Sequence, residues 1–385
     1  MKHTSVIELS KSALSKNIKN LTNMFGAHVK FASVVKGNAY GHGIDVFVKL
    51  AESCGINMFC VADSFEAECV LKVKREGSHI IIMSMIDNED LEWAIENDIS
   101  FYIFDIGRLE GALAAAKKVG KKARIHIELE TGMNRTGFDD ADLNRVIEII
   151  NLNREYFEID GICTHYAGAE SIANYVRIKN QIEAFNSLCE MLKFNGITAK
   201  YRHTACSAAA LTYPETRMDM IRIGIAHYGF WPSKETKMYK LLSSDKEYQN
   251  DPLIRVIRWR TRIMDIKTVK PGKFINYGTS YLTEQTTKVA IIPVGYSHGY
   301  SRSLSNLGSV LIRRKKVPVI GMVNMNMILA DVSNVSGVEK GDEVVLIGKQ
   351  GNKYITVSSF SELSQNVNYE MLTRLPKDIP RIVVK

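Results

Sequence analysis

The chain of 385 residues has no apolar run fit to cross a bilayer, since no window approaches about 18 uninterrupted apolar residues. Its first ten residues, MKHTSVIELS, hold no long apolar core, so no signal peptide is expected. No CxxC pair occurs among Cys54, Cys60, Cys69, Cys163, Cys189 and Cys206, and most of these lie in apolar runs such as MFCVA and GICTH. They are expected to be reduced core residues of a cytoplasmic protein. The nine histidines include no HExxH or similar ligand spacing, which argues against a metal site. The net charge is +8, but the lysines are dispersed and no basic stripe is interleaved with aromatics. The charge therefore reads as a solvated surface, with no nucleic-acid partner, and it suits an anionic cofactor or a carboxylate substrate.

What the chain does have is a regular alternation. After a first strand, SVIEL, residues 10–25 read as a helix with Leu14, Ile18, Leu21 and Phe25 on one face. Strand-like apolar runs follow near 29–35, 56–62, 79–85, 99–105, 122–130, 158–164, 200–205 and 218–224. Amphipathic stretches such as SFEAECVLKVKREG and NYVRIKNQIEAFNSLCEMLKFNG separate them. Strands alternating with helices in this way predict an α/β fold, a (β/α)8 TIM-type barrel. The texture changes near 245, after SSDKEYQND. From 253 onward, LIRVIRWRTRIMDI, KVAIIPVGY, SVLIRRKKVPVIGMV and DEVVLIG read as strands, followed by a helical patch around 358–374 and a last strand, RIVVK. The expected organisation is a barrel over 1–245 and a mostly β domain over 246–385. The strand at 5–10 precedes the barrel count and is a candidate to pair with the second domain.

The segment VVKGNAYGHG, residues 34–43, places Lys36 at the end of the first barrel strand, before glycines at 37, 41 and 43. An isolated lysine there ordinarily snorkels to solvent. At the rim of a core it is partly desolvated, which favours the neutral amine, a nucleophile and a base. Active sites of such barrels lie at the carboxyl ends of the strands. The other chemical candidates fall at those ends: Arg135 after HIELETGMN, His165 in GICTHYAGAE, Ser207 in YRHTACSAAAL, and Arg222, Gly224 and Ile225 in MIRIGIAHYG. Ser207 followed by three alanines looks like a helix start suited to an anion, Gly224 lets backbone approach one closely, and Tyr40 could add a hydroxyl donor.

VxKxNAYGHG resembles the cofactor-lysine motif of the alanine racemases, fold-type III enzymes that use pyridoxal 5'-phosphate. The resemblance covers both halves of the chain. It implies that Lys36 carries the cofactor covalently, that Arg222 hydrogen-bonds the pyridine nitrogen, and that His165 orients and polarises Arg222. Because arginine keeps its proton, the ring would stay a weaker electron sink, which disfavours transamination. Racemisation needs bases on both faces of Cα. Lys36 serves one. INYGTSYLT, 275–283, resembles the family's SYG motif, whose tyrosine is Tyr277, read here as a strand residue; in the family it comes from the partner subunit of a homodimer. An ordinary tyrosine, with a pKa of about 10, needs help to act as a base. IPVGYSHG resembles GYxDG, with Tyr296 at the substrate entrance. GMVNMNMILADV resembles GRVCMDQ, with Met325 at the substrate carboxylate. Arg135 matches the arginine that steadies that carboxylate, and Tyr40, Ser207, Gly224 and Ile225 complete the cofactor site.

The match departs at several positions. Glu128 stands where many members carry a carbamylated lysine seven residues before the arginine, so its carboxylate can supply the same negative charge. Cys206 replaces asparagine, His298 and Asn326 replace aspartates, and Lys377 stands where some relatives carry a pocket tyrosine. The expected activity is the interconversion of L- and D-alanine, feeding D-alanine to peptidoglycan. A racemase of another or broader substrate such as serine, lysine or ornithine is the alternative. A decarboxylase of this fold type is disfavoured by Arg222 and by the missing HxGSG. A non-catalytic pyridoxal-phosphate-binding protein is disfavoured by the second domain.

Overall fold

The computed structural model describes residues 3–242, 251–357 and 368–385. The boundary expected at 245–246 and most of the helical patch expected over 358–374 lie outside the described residues; within the latter range, Asn368–Thr373 is helical. The described chain forms two compact units. One comprises Ala13–Lys36 and Val48–Ile254; the other comprises Met1–Ser12, Gly37–Phe47 and Arg255–Lys385.

The strands are β1 (Ser5–Ser10), β2 (Lys30–Val34), β3 (Met58–Asp63), β4 (His79–Met85), β5 (Ser100–Ile103), β6 (Ala123–Glu128), β7 (Phe157–Cys163), β8 (Tyr201–His203), β9 (Met220–Ile223), β10 (Ile257–Arg262), β11 (Asp265–Val269), β12 (Thr287–Ile292), β13 (Ser309–Ile312), β14 (Lys315–Pro318), β15 (Ile328–Asp331), β16 (Glu343–Gln350), β17 (Lys353–Ile355) and β18 (Arg381–Val384).

In the first unit, β2 to β9 form one eight-stranded parallel sheet in the order β8-β7-β6-β5-β4-β3-β2-β9. Its ends approach each other, with Asp219 N–H donating to the Arg202 carbonyl at 3.2 Å and Arg222 N–H to the Ala205 carbonyl at 3.0 Å. The result is a nearly closed barrel ringed by helices, as the alternation predicts. Strands covered on both faces must be apolar almost throughout; β5 and β9 are buried along their whole length. The helices bury one stripe each. Lys11–Phe25 turns in Leu14, Ile18, Leu21 and Phe25, and Tyr175–Phe194 turns in Ile178, Ile182, Phe185, Leu188 and Leu192, the spacing of one helical face. Aspartates set several strand-to-helix turns. The carboxylates of Asp63, Asp105 and Asp139 accept first-turn N–H groups, satisfying donors that a helix start leaves open.

In the second unit, a seven-stranded sheet runs β14-β13-β16-β10-β1-β18 with β17 on β16, and β11-β12-β15 form a separate sheet. The strand Ser5–Ser10 lies between β10, antiparallel, and β18, parallel. Glu8 ties it there, accepting from Arg258 at 2.7 Å and Arg260 at 2.5 Å. Among the described residues no helix is long and apolar enough to cross a membrane.

Candidate active site

Lys36 stands just past β2, at the carboxyl pole of the barrel, and is open to solvent. Its amine is nonetheless held below the usual lysine range, first by desolvation and then by the positive charges of Arg135 and Arg222, against an opposing pull from Glu66. The chain leaves it through a left-handed turn: Gly37, Asn38, Ala39 and Tyr40 have φ of 64°, 54°, 54° and 50°. Each non-glycine residue there costs about 1–2 kcal/mol. Gly41 N–H to the Gly37 carbonyl, at 3.0 Å, and Ile44 N–H to Asn38 Oδ1, at 3.1 Å, hold the turn. Strain of this kind collects at functional sites, and past Gly37 nothing in the sequence announced it. Tyr40, inside the turn, packs edge-on against Tyr369 with centroids 6.3 Å apart.

Arg222, on β9, is buried and densely bonded. Its Nη1 meets His203 Nδ1 at 2.6 Å and the His203 carbonyl at 2.7 Å; its Nη2 donates to the carbonyls of Thr164 at 2.8 Å and Thr204 at 3.0 Å and stands 3.4 Å from His165 Nδ1. These contacts occupy the Nη protons. Nε–H is the guanidinium donor left without an acceptor among the described residues. Burial, then the charges of Arg222 and Arg135, hold His165 down to about 3, so its ring is neutral at ordinary pH. The closer neighbour, His203, continues to a second buried histidine, with its Nε2 2.8 Å from His126 Nδ1. Gly161 makes that meeting possible: a Cβ there would lie 2.0 Å from His126 Nδ1 and 2.7 Å from His203 Nε2.

Ser207 opens the helix Ser207–Thr212, and its Oγ accepts from Gly224 N–H at 3.1 Å. The hydroxyl, the first-turn N–H groups and the Gly224–Ile225 backbone therefore share one corner, a donor set that suits a phosphate. His227 ties this corner to the lysine strand. Its Nδ1 lies 2.5 Å from the Gly224 carbonyl and its Nε2 2.9 Å from Ser33 Oγ on β2. The carbonyl only accepts, so Nδ1 carries the proton and the serine donates to Nε2. The Tyr228 hydroxyl adds a bond to the Val34 carbonyl at 2.9 Å.

Arg135 is exposed, in a loop organised by Glu130, whose carboxylate accepts N–H groups of Gly132, Asn134 and Arg135. Those bonds hold the Glu130 carboxyl below its usual range against the opposing effect of desolvation. Glu128 is buried. Its Oε2 accepts from Thr136 Oγ1 at 2.9 Å, and desolvation raises its pKa against the pull of Thr136, Arg222 and Arg135.

Tyr277, Tyr296 and Met325 belong to the second unit. Tyr277 is 73% exposed and lies in a loop, not the strand expected over this segment. The turn begins at Asn276, whose φ of 66° is left-handed, a conformation incompatible with continued strand. Asn276 Nδ2 donates to the Met322 carbonyl at 2.8 Å, and Asn324 Nδ2 donates to Asn276 Oδ1 at 2.9 Å. Tyr296 N–H in turn donates to the Asn324 carbonyl at 2.9 Å, and Ser297 N–H to the Met325 carbonyl at 3.0 Å. Three distant sequence segments thus form one hydrogen-bonded platform carrying the three expected residues. His298 serves its own turn, its Nδ1 accepting from Gly295 N–H at 3.2 Å.

The first unit brings together Lys36, Arg135, His165, Arg222 and the Ser207–Gly224–Ile225 corner. Sequence reasoning missed Ser33, His126, Glu130, His203 and His227. The available signal was polar residues standing in otherwise apolar strand runs, as in HIELE and FASVV.

The alanine racemase N-terminal domain family matches residues 9–232, and the alanine racemase C-terminal domain family matches residues 256–383. The alanine racemase of Leptospira interrogans serovar copenhageni is 33% identical over 386 residues, covering 99% of this chain and 96% of that protein. The crystal structure of alanine racemase from the D-cycloserine-producing Streptomyces lavendulae superimposes with a TM-score of 0.89 at 28% identity, covering 99% of this chain and 97% of that one. The Bartonella henselae alanine racemase, solved with covalently bound pyridoxal phosphate, shares the fold with a TM-score of 0.84 at 24% identity, covering 99% of this chain and 100% of that one. The chain therefore belongs to the alanine racemase family, whose members are pyridoxal-phosphate-dependent isomerases.

Proposed function

We propose that this protein interconverts L- and D-alanine with two proton carriers, Lys36 and Tyr277, and works as a homodimer in which the partner subunit's Tyr277 completes each site. The single observation that carries the reading is the pairing, at one barrel pole, of a lysine amine held below its usual range with a buried arginine whose Nε–H still lacks an acceptor.

The residues fit the cofactor. Lys36 would hold it through its amine. The Nε–H of Arg222 suits an unprotonated ring nitrogen, since a guanidinium donates and does not give up its proton. Ser207, Gly224, Ile225 and Tyr40 would hold the phosphate. When bound, pyridoxal phosphate supplies the electron sink that makes the Cα proton removable.

Lys36, its ammonium form disfavoured once its amine is released, takes or returns the proton on one face. Tyr277 does so on the other, which is the minimum a racemase needs. His165, kept neutral beside Arg222, orients the guanidinium and offers its other ring nitrogen toward the phenol. Arg135 and Met325 steady the substrate carboxylate, and Tyr296 lines the entrance. The high exposure of Tyr277, on a platform with Tyr296 and Met325, supports completion by a second subunit. We place the reaction in the cytoplasm, as a source of D-alanine for peptidoglycan.

Two experiments test this. The first is solvent deuterium incorporation at Cα across an amino-acid panel; rates for lysine, ornithine or serine well above alanine would reassign the substrate. The second mixes Lys36→Ala and Tyr277→Phe proteins, each inactive alone. Hybrid dimers regain one intact site, so about a quarter of wild-type activity returns if sites are shared across a symmetric dimer. No recovery would refute shared sites, and an active Tyr277→Phe protein would remove the phenol from the scheme.

A further inference from the structure

The histidine chain behind Arg222 ends on a donor. Arg222 Nη1 can only donate, so His203 Nδ1, at 2.6 Å, accepts. Burial and the Arg222 charge keep His203 neutral, so its proton sits on Nε2. That proton is donated to His126 Nδ1 at 2.8 Å. Burial holds His126 down to about 4, so it too is neutral, with its proton on Nε2. His126 is 1% exposed, and its Nε2 has no hydrogen-bond partner among the described residues.

His126 lines a small cavity of about 10 Å³ toward the amino ends of the barrel strands, shared with Asp160, Ser100, Arg124, His79, Lys200 and Tyr201. That volume is about one water molecule's worth, and a buried water needs polar partners, which this cavity has. Asp160 has capacity for it. Its Oδ2 accepts from Ser100 Oγ at 2.5 Å and Arg124 Nε at 3.0 Å, while Oδ1 accepts only Arg124 Nη2 at 3.2 Å among the described residues.

We propose that one ordered water occupies this cavity, accepting from His126 Nε2–H and donating to Asp160 Oδ1, so that Asp160 and His126 act as positioning residues for Arg222. The polarity of the chain, set at one end by the donor-only guanidinium, is then held from its far end as well. Without an acceptor at His126 Nε2, the alternative tautomer sets His126 Nδ1–H against His203 Nε2–H. If His203 switched as well, its Nδ1–H would face the guanidinium. Either arrangement puts donor against donor. The water bridge stands on the geometry alone; its role in aiming Arg222 at a pyridine ring rests on the function proposed above.

Histidine-selective ¹⁵N NMR of the full-length protein, with and without pyridoxal phosphate, is the test, combined with a high-resolution crystal structure. Expected are Nε2–H tautomers for both His126 and His203, slow exchange of the His126 Nε2 proton, and a water within hydrogen-bonding distance of His126 Nε2 and Asp160 Oδ1. Asp160→Ala should mix the His203 tautomers and weaken pyridoxal-phosphate binding roughly threefold to tenfold, with Asp160→Asn recovering much of both. If Asp160→Ala does not fold, the wild-type ring spectrum and the water position decide. An Nδ1–H His126, or a cavity without water, would overturn the bridge. Shifted tautomers with unchanged cofactor affinity would overturn the positioning role. Expected ring spectra in a protein that takes up no pyridoxal phosphate would instead sink the functional reading and leave the bridge standing.

Discussion

Nη1 of Arg222 lies 2.6 Å from Nδ1 of His203, whereas its Nη2 stands 3.4 Å from Nδ1 of His165. The histidine singled out from sequence as the arginine's partner is therefore the looser of two. Removing His203 strips a buried, charged donor of its side-chain acceptor, a loss on the order of 2 kcal/mol. His203→Ala should cost about that much in urea unfolding, and His165→Ala clearly less. Equal losses would show that the short contact carries no special weight.

Ser33 and His227 join the lysine strand to the Gly224 corner through fully buried atoms. Ser33→Ala leaves Nε2 without its donor and should cost about 1–2 kcal/mol. His227→Leu leaves the serine hydroxyl unpaired at a similar cost. The double variant removes both partners together, so its loss should fall short of the sum by about 1 kcal/mol. Thermal or urea unfolding of the four proteins measures this coupling, and strict additivity would deny it. Pyridoxal-phosphate titration should show each single variant binding severalfold more weakly.

The barrel was legible because its strands are apolar on both faces and its helices on one, a contrast that survives in one dimension. Lys36, Ser207 and Arg222 were legible because they end such strands. The platform beneath Tyr277 was not, because Asn276 and Asn324 are ordinary loop residues until the fold brings them within 2.9 Å. His126 and His203 were hidden for the opposite reason. A histidine within an apolar strand reads as core, and only the missing side chain of Gly161 lets the two rings meet. The left-handed turn at 37–40 was unreadable past Gly37, since Asn38, Ala39 and Tyr40 carry no intrinsic preference strong enough to announce it.

The amine of Lys36 responds to charges of both signs, and the signs can be separated. Arg135 disfavours the ammonium form, so Arg135→Gln should raise the lysine's pKa and move the pH midpoint for cofactor attachment upward. Glu66 favours the ammonium form, so Glu66→Gln should move that midpoint downward. The rate at which the visible absorbance of attached pyridoxal phosphate appears, followed against pH, reports both. Shifts in the same direction for the two variants would mean that something other than their charge sets the amine.

Acid stability tests the buried histidines together. His126 is held to about 4 and His227 to about 3, in each case chiefly by desolvation, and both are neutral in the folded protein at pH 6. In the unfolded chain each has the ordinary histidine value, about 6.5. Between those limits the unfolded state binds more protons, so stability rises with pH and is lost as pH falls from about 6.5 toward the folded values. The loss per histidine approaches about 1.4 kcal/mol per pH unit within that window and is absent above it. Unfolding free energies measured from pH 7.5 down to 4.5 should therefore be flat at first and then fall steeply. Ser33→Ala/His227→Leu, which removes one titrating ring together with its serine partner, should reduce the slope by about one histidine's share, while the plateau above pH 7, lowered by the net cost of the double variant, stays flat. An unchanged acid slope in that variant would mean that His227 protonates in the folded protein with little penalty, contrary to its complete burial between Ser33 and Gly224.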